Sequence, residues 1–179
     1  EREVSFSPEI YIERGDFQEI PEKKYFRLAP DKYVRLRGGP IIRCTGFEKN
    51  DAGEVTLVRT KLLPGTTGKD SPEGVVCKAA IHWVDSATAC DAEVRLYDRL
   101  FTVENPDDAE GGFLSVLNPD SIQSLAAKVE ASLATEEPGY SCQFERTGYF
   151  VADSKEHVAG TRPVFNRTVA LKDSWAKRR

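Results

Sequence analysis

The chain has 179 residues, 40% of them hydrophobic and 30% charged, with a formal net charge of −4. That length closes one ordinary core or two small ones, and the composition excludes a chain too polar to fold. No run of about 18 uninterrupted apolar residues occurs, and the acidic start EREVSF lacks the cationic and apolar regions of a secretory signal, so a soluble, intracellular, cytoplasmic protein is expected.

Along the chain, short apolar-rich runs alternate with turn signals: EIYIE at 9–13, YVRLR at 33–37, PIIRCTGF at 40–47, EVTLVRTKL at 54–62 and GVVCKAAIHWV at 74–84. AEVRLYDRLFTV at 92–103, SCQFERTGYFVAD at 141–153 and RPVFNRTVAL at 162–171 follow. Strand-length runs spaced in this way predict an all-β, mainly antiparallel sandwich or barrel. Asn50-Asp51-Ala52-Gly53, Gly38-Gly39-Pro40 and the Pro64-Gly65 pair stand where hairpins and loops need turn residues. Between 102 and 138, Asn118-Pro119 precedes Ile122, Leu125, Ala126 and Val129, the spacing of an amphipathic helix with Pro in its first turn.

Charge is distributed unevenly. Residues 23–43 carry seven Lys or Arg against one acid, Asp31, whereas 102–138 sets eight acids against Lys128. A basic island on an acidic body holds a polyanion in one orientation and repels it elsewhere. Within the island, YVRLR places Tyr33, Arg35 and Arg37 on one strand face and Val34 and Leu36 on the other. Tyr25, Phe26 and Tyr33 interleave with Lys24, Arg27 and Arg35, and unstacked RNA bases are held by aromatic or guanidinium planes. A solvated strand face whose arginines pair with acids is the plainer alternative.

In QFERTGYF, Gln143 and Arg146 combine an amide that both donates and accepts with a five-donor fork, enough to read a base edge and its phosphate. Three residues apart on a regular strand they point to opposite faces, so meeting one base requires a bend, a bulge or a strand end near Gly148.

Other chemistry is thinly represented. Cys77, His82 and Cys90 do not have zinc spacing, and no metal site is expected. The four cysteines, with Cys44 and Cys142, are expected to be reduced thiols. His157 is read as a loop residue. Glu93 and Asp98 could form an acid–base pair, but Arg95 and Arg99 beside them favour structural ion pairs. Dinucleotide, phosphate-loop and nucleophile-elbow glycine motifs are absent, so no catalytic residues are expected. Methionine is absent even at position 1, which reads as a cut inside a longer chain.

IYIERGDF at 10–17, YFRLAPDKYVRLRG at 25–38, IHWV at 81–84, EVRLYDRLF at 93–101, FLSVLNPDS at 113–121, QFERTGYF at 143–150 and PVFNRTVALKDSWAK at 163–177 together resemble the C-terminal half of glutaminyl-tRNA synthetases. The resemblance implies two tandem six-stranded, ribosomal protein L25-like β-barrels with one or two short helices. The distal barrel would be 21–93; the proximal barrel would combine 1–20 with 94–179 and lack its upstream strands. It implies that the anticodon loop of glutamine tRNA lies in one cleft between the basic island and QFER. Arg27 matches the reader of the third anticodon base and Arg35 that of the first, with Arg37 a further basic contact near it. Gln143 and Arg146 match the pair at the middle uracil, and Lys23, Lys24 and Lys32 would position phosphates. Phe26 stands where some bacterial members have a basic residue. The family also implies a short helical turn leading into a strand over 122–133, against the helix suggested by spacing. Ligation of glutamine would use ATP in a class I catalytic domain of the same polypeptide; this stretch carries neither the His-Ile-Gly-His nor the Lys-Met-Ser-Lys-Ser-like motif of such domains and is expected to need no cofactor. A monomer without DNA or membrane partners is implied. A eukaryotic or archaeal-type glutamyl-tRNA synthetase and an L25-like ribosomal-RNA-binding protein are the alternatives.

Overall fold

A computed structural model describes residues 3–171, so the DSWAK ending lies outside the described residues. The fold is all-β, in two compact units, Glu1–Ser86 and Ala87–Arg179. The described residues up to 20 fall in the first unit. There β1 (Ile10–Ile12) is bonded antiparallel to β6 (Trp83–Asp85), with Ile10 opposite Asp85.

The main sheet of the first unit has the order β4-β3-β2-β5: β2 is Tyr33–Leu36, β3 Ile41–Lys49, β4 Val55–Leu63 and β5 Ala80–Ile81. Alternation decides which way β2 faces, since Val34 and Leu36 are wholly buried while Tyr33 and Arg35 remain partly exposed. Arg37 falls in the turn just beyond the strand. The Asn50–Gly53 turn forms as the residue types require: Gly53 takes φ 80°, its N–H donates to Asn50 O at 2.9 Å, and β3 returns as β4. Leu28, Val34, Leu36, Ile42, Cys44, Ile81 and Trp83 make the core. Each large side chain buried there contributes roughly 1.5–3 kcal/mol. The 74–84 run is strand only from Ala80 onward, where it pairs parallel with β2 and Ala79 O accepts from the N–H of Arg35 at 3.1 Å.

The second unit is a five-stranded sheet, β8-β7-β11-β10-β9, with β7 at Cys90–Tyr97, β8 at Ile122–Val129, β9 at Ser141–Phe144, β10 at Gly148–Ala152 and β11 at Val164–Ala170. Its pairs are antiparallel apart from β11 with β7, as β2 with β5 is in the first unit. Among the described residues no ladder joins the outer strands β8 and β9 into a closed barrel. Ala92, Val94, Val129, Phe150, Ala152 and Phe165 form its core, with Phe144 stacked on Phe150 at 4.2 Å.

The helix predicted over 119–129 is not there. Residues Ile122–Val129 are a strand in register with β7, Ile122 opposite Tyr97 and Val129 opposite Cys90, and the helical turn α1 (Ala131–Ala134) follows the strand rather than preceding it. Ile122 and Leu125, which the helical reading buried, are each 47% exposed. Eight register partners on β7 outweigh a spacing that is also compatible with an extended chain. No helix among the described residues is long and apolar enough to cross a membrane.

Candidate nucleic-acid interface

In the first unit, Arg27 is fixed by two acceptors. Its Nη1 donates to Gly15 O at 3.0 Å and lies 3.1 Å from Asp16 Oδ1, a fully buried carboxylate delivered by a 3₁₀ turn at Arg14–Asp16. Tyr25 Oη donates to the same Gly15 carbonyl at 3.1 Å. Arg35 is held as firmly: Nη1 donates to Thr66 O at 2.6 Å and Nη2 to Lys69 O at 2.7 Å, clasping the 64–69 loop. Thr66, 3% exposed, anchors that loop by donating through Oγ1 to Leu63 O and accepting from the Ile41 N–H. Arg37 is exposed, and its carbonyl accepts from Trp83 Nε1 at 3.0 Å. A guanidinium has five donors in a fixed fork, so one committed to a protein oxygen still has N–H groups to aim at a ligand from a set orientation.

Lys23, Lys24 and Lys32 are exposed on turns and strand approaches. Asp31, the one acid of the island, is paired with Arg43 at 2.8 Å, and Arg43 also stands over the Tyr33 ring at 5.7 Å. Arg27 and Arg43 thus find their acids within their own unit, at Asp16 and Asp31. Phe26 is half exposed, with Lys78 Nζ 5.3 Å from its ring centroid.

In the second unit, the parity problem in QFER is resolved by a turn. The strand β9 ends at Phe144, and Arg146 occupies the three-residue connection to β10 with φ 64°, where Thr147 N–H donates to Phe144 O at 2.9 Å. Gln143 therefore stays on the strand while Arg146 belongs to the hairpin turn. Left-handed backbone costs a non-glycine residue roughly 1–2 kcal/mol, and the three described non-glycine residues that accept it, Lys24, Asp31 and Arg146, all lie in the two candidate segments. Such strain concentrates at functional positions. Gly148 is needed for a different reason: a Cβ there would stand 2.6 Å from Val169 O on β11.

The remaining chemistry is structural. Arg95 bridges Glu93 at 2.7 Å and Glu156 at 2.7 Å, and Arg162 reaches Glu156 at 2.9 Å. The hydrogen bond from Arg95 holds the Glu93 carboxyl below its ordinary value, the opposite of what a general acid at neutral pH requires. His157, read from sequence as a loop residue, lies in a loop but is only 3% exposed; Nδ1 accepts from Val164 N–H at 3.2 Å and Nε2 donates to Glu136 O at 2.9 Å. Cys44, Cys77, Cys90 and Cys142 are free thiols, with burial pushing Cys44 and Cys142 up. Sequence reading missed Asp16 and Thr66, whose importance lies in distant partners; the RGD turn before the basic island was the only local signal for Asp16.

These features, an all-β scaffold with preset arginines on turns and strand faces, suit single-stranded RNA loops. Family models described as the anticodon-binding domain of class I tRNA synthetases (E and Q) match residues 1–62 and 80–153. The chain belongs to this family of anticodon-binding domains. It is 50% identical over 177 residues to the glutamine–tRNA ligases of Ralstonia nicotianae and of Bordetella avium, matching 98% of the chain and 30% of each relative. The glutamine–tRNA ligase of Vibrio parahaemolyticus is also 50% identical, over 99% of the chain and 32% of the relative. The chain thus spans about 30% of the length of the curated relatives it matches.

Proposed function

We propose that the chain is the part of a cytoplasmic glutamine–tRNA ligase that grips the anticodon loop of glutamine tRNA. The 50% identity to glutamine–tRNA ligases over 98% of its length carries the reading. Arg27 and Arg35 read the outer anticodon bases, with Arg37 a further basic contact near the first; Gln143 and Arg146 read the middle one, and Lys23, Lys24 and Lys32 hold the phosphates. Class I ligation of glutamine with ATP belongs to the catalytic part of the longer polypeptide, which works as a monomer. Anticodon contacts supply differential binding, so that the correct tRNA presents its acceptor end at a distant site.

Replacing Arg146 with Ala weakens binding of the glutamine-tRNA anticodon stem-loop by roughly 1–3 kcal/mol, the size of a lost bidentate base contact. Titrating stem-loops that differ only at the middle base tests it: equal losses on all four would leave Arg146 a phosphate contact rather than a reader. The family description also covers glutamate enzymes, and tighter binding of a glutamate-tRNA stem-loop by the unaltered chain would favour that specificity instead.

A further inference from the structure

We infer that Tyr149 is a stacking platform for the nucleobase whose edge Gln143 reads, so that Gln143, Arg146 and Tyr149 form a receptor for one unstacked nucleotide. The inference deepens the anticodon reading above and rests on it. In the antiparallel register of β9 with β10, Tyr149 is directly opposite Gln143. Directly opposed residues share one face of a ladder, with Cβ atoms about 4.5–5.5 Å apart. Both side chains are on the exposed face, Tyr149 at 47%, while their neighbours Cys142, Phe144 and Phe150 turn the other way and pack on the core of the unit. Phe144 is fixed there against Phe150 at 4.2 Å and Phe165 at 5.4 Å. The hairpin cannot slip by one residue without drawing these rings out of the core, so the outward placement of Gln143 and Tyr149 is rigidly specified.

The backbone of Tyr149 is pinned on its other side as well. It pairs with Val169 of β11, and the register then jumps so that Phe150 meets Arg167. The extra residue is Thr168, whose hydroxyl donates to Tyr149 O at 3.1 Å. Bulges of this kind re-aim side chains beside functional sites. What remains on the surface is an exposed ring, an amide directly across from it and, at the hairpin end, a guanidinium on a left-handed residue. These are the three parts a splayed nucleotide needs: a π-face, an edge partner and a phosphate or edge fork.

The test uses the 179-residue chain and a fluorescently labelled glutamine-tRNA anticodon stem-loop, with the middle nucleotide intact or abasic. Tyr149→Thr, which keeps a strand-favouring residue but no ring, lowers affinity for the intact loop roughly 5- to 150-fold, the loss expected for one base–aromatic stack. Tyr149→Leu does the same, and Tyr149→Phe stays within about twofold of the unaltered chain. On the abasic loop all four proteins bind alike. An undiminished affinity of Tyr149→Thr and Tyr149→Leu for the intact loop, or an equal loss on both loops, overturns the platform. If the unaltered chain fails to bind the intact loop, the anticodon reading itself falls; if it binds and Arg146→Ala weakens it while the Tyr149 variants do not, only the platform falls.

Discussion

Arg27 and Arg35 show how a surface cation becomes a directed one. A free arginine gives up roughly 2 kcal/mol of rotamer entropy when a ligand immobilises it; here the Asp16 carboxylate with the Gly15 carbonyl, and the carbonyls of Thr66 and Lys69, have already done the ordering. A similar economy of fixed partners appears at Asp153. Asn166 Nδ2 donating at 2.6 Å, then the N–H groups of Lys155 and Glu156, hold its carboxyl down at about 2, against an ordinary 3.8. A folded value below the unfolded one means stabilisation that is complete above about pH 4 and lost as pH falls toward 2. Asp153→Asn is therefore expected to lower stability at neutral pH and to flatten the fall in urea-unfolding free energy between pH 4 and 2. An acid limb as steep as that of the unaltered chain would contradict this.

Among the elements, the 64–69 loop depends on one buried hydroxyl. Thr66→Val leaves the Ile41 N–H and the Leu63 carbonyl without their side-chain partner, each an unsatisfied group worth about 1–3 kcal/mol. Chemical denaturation should show a loss of roughly that size, with Thr66→Ser recovering most of it; a neutral Thr66→Val would mean that the loop closes by other contacts. The β9–β10 hairpin illustrates a different dependence, because its core-facing phenylalanines hold the outward residues in register. The strand β8 shows the limit of local patterning: 122–129 has helical spacing, but residues from Ile122 to Val129 find extended partners along β7, and the exposed Ile122 and Leu125 record that a helical face was never formed.

For the whole molecule, an island of seven cations in a chain of net charge −4 sets residues 23–43 apart electrostatically. Lys23 is exposed on a turn, so Lys23→Ala should reduce the salt slope of stem-loop binding by about 0.7, the value of one single-strand phosphate contact, and leave base preference unchanged. A change in preferred base would instead make Lys23 a reader. Much of this was legible in the sequence: the β2, β3 and β4 runs, the Asn50–Gly53 turn and the outward Arg35 all follow from period-two alternation and turn chemistry, which act over neighbouring residues. The blocks that match the family also lay open in the chain. What required the tertiary structure was every feature set by partners far away in sequence: that 122–129 extends along β7, that Arg27 and Arg35 are tethered to Asp16 and the 64–69 loop, and that Arg146 leaves its strand for a turn while Tyr149 comes to face Gln143. Local spacing permits more than one backbone there, and only the non-local pairing and core packing select between them.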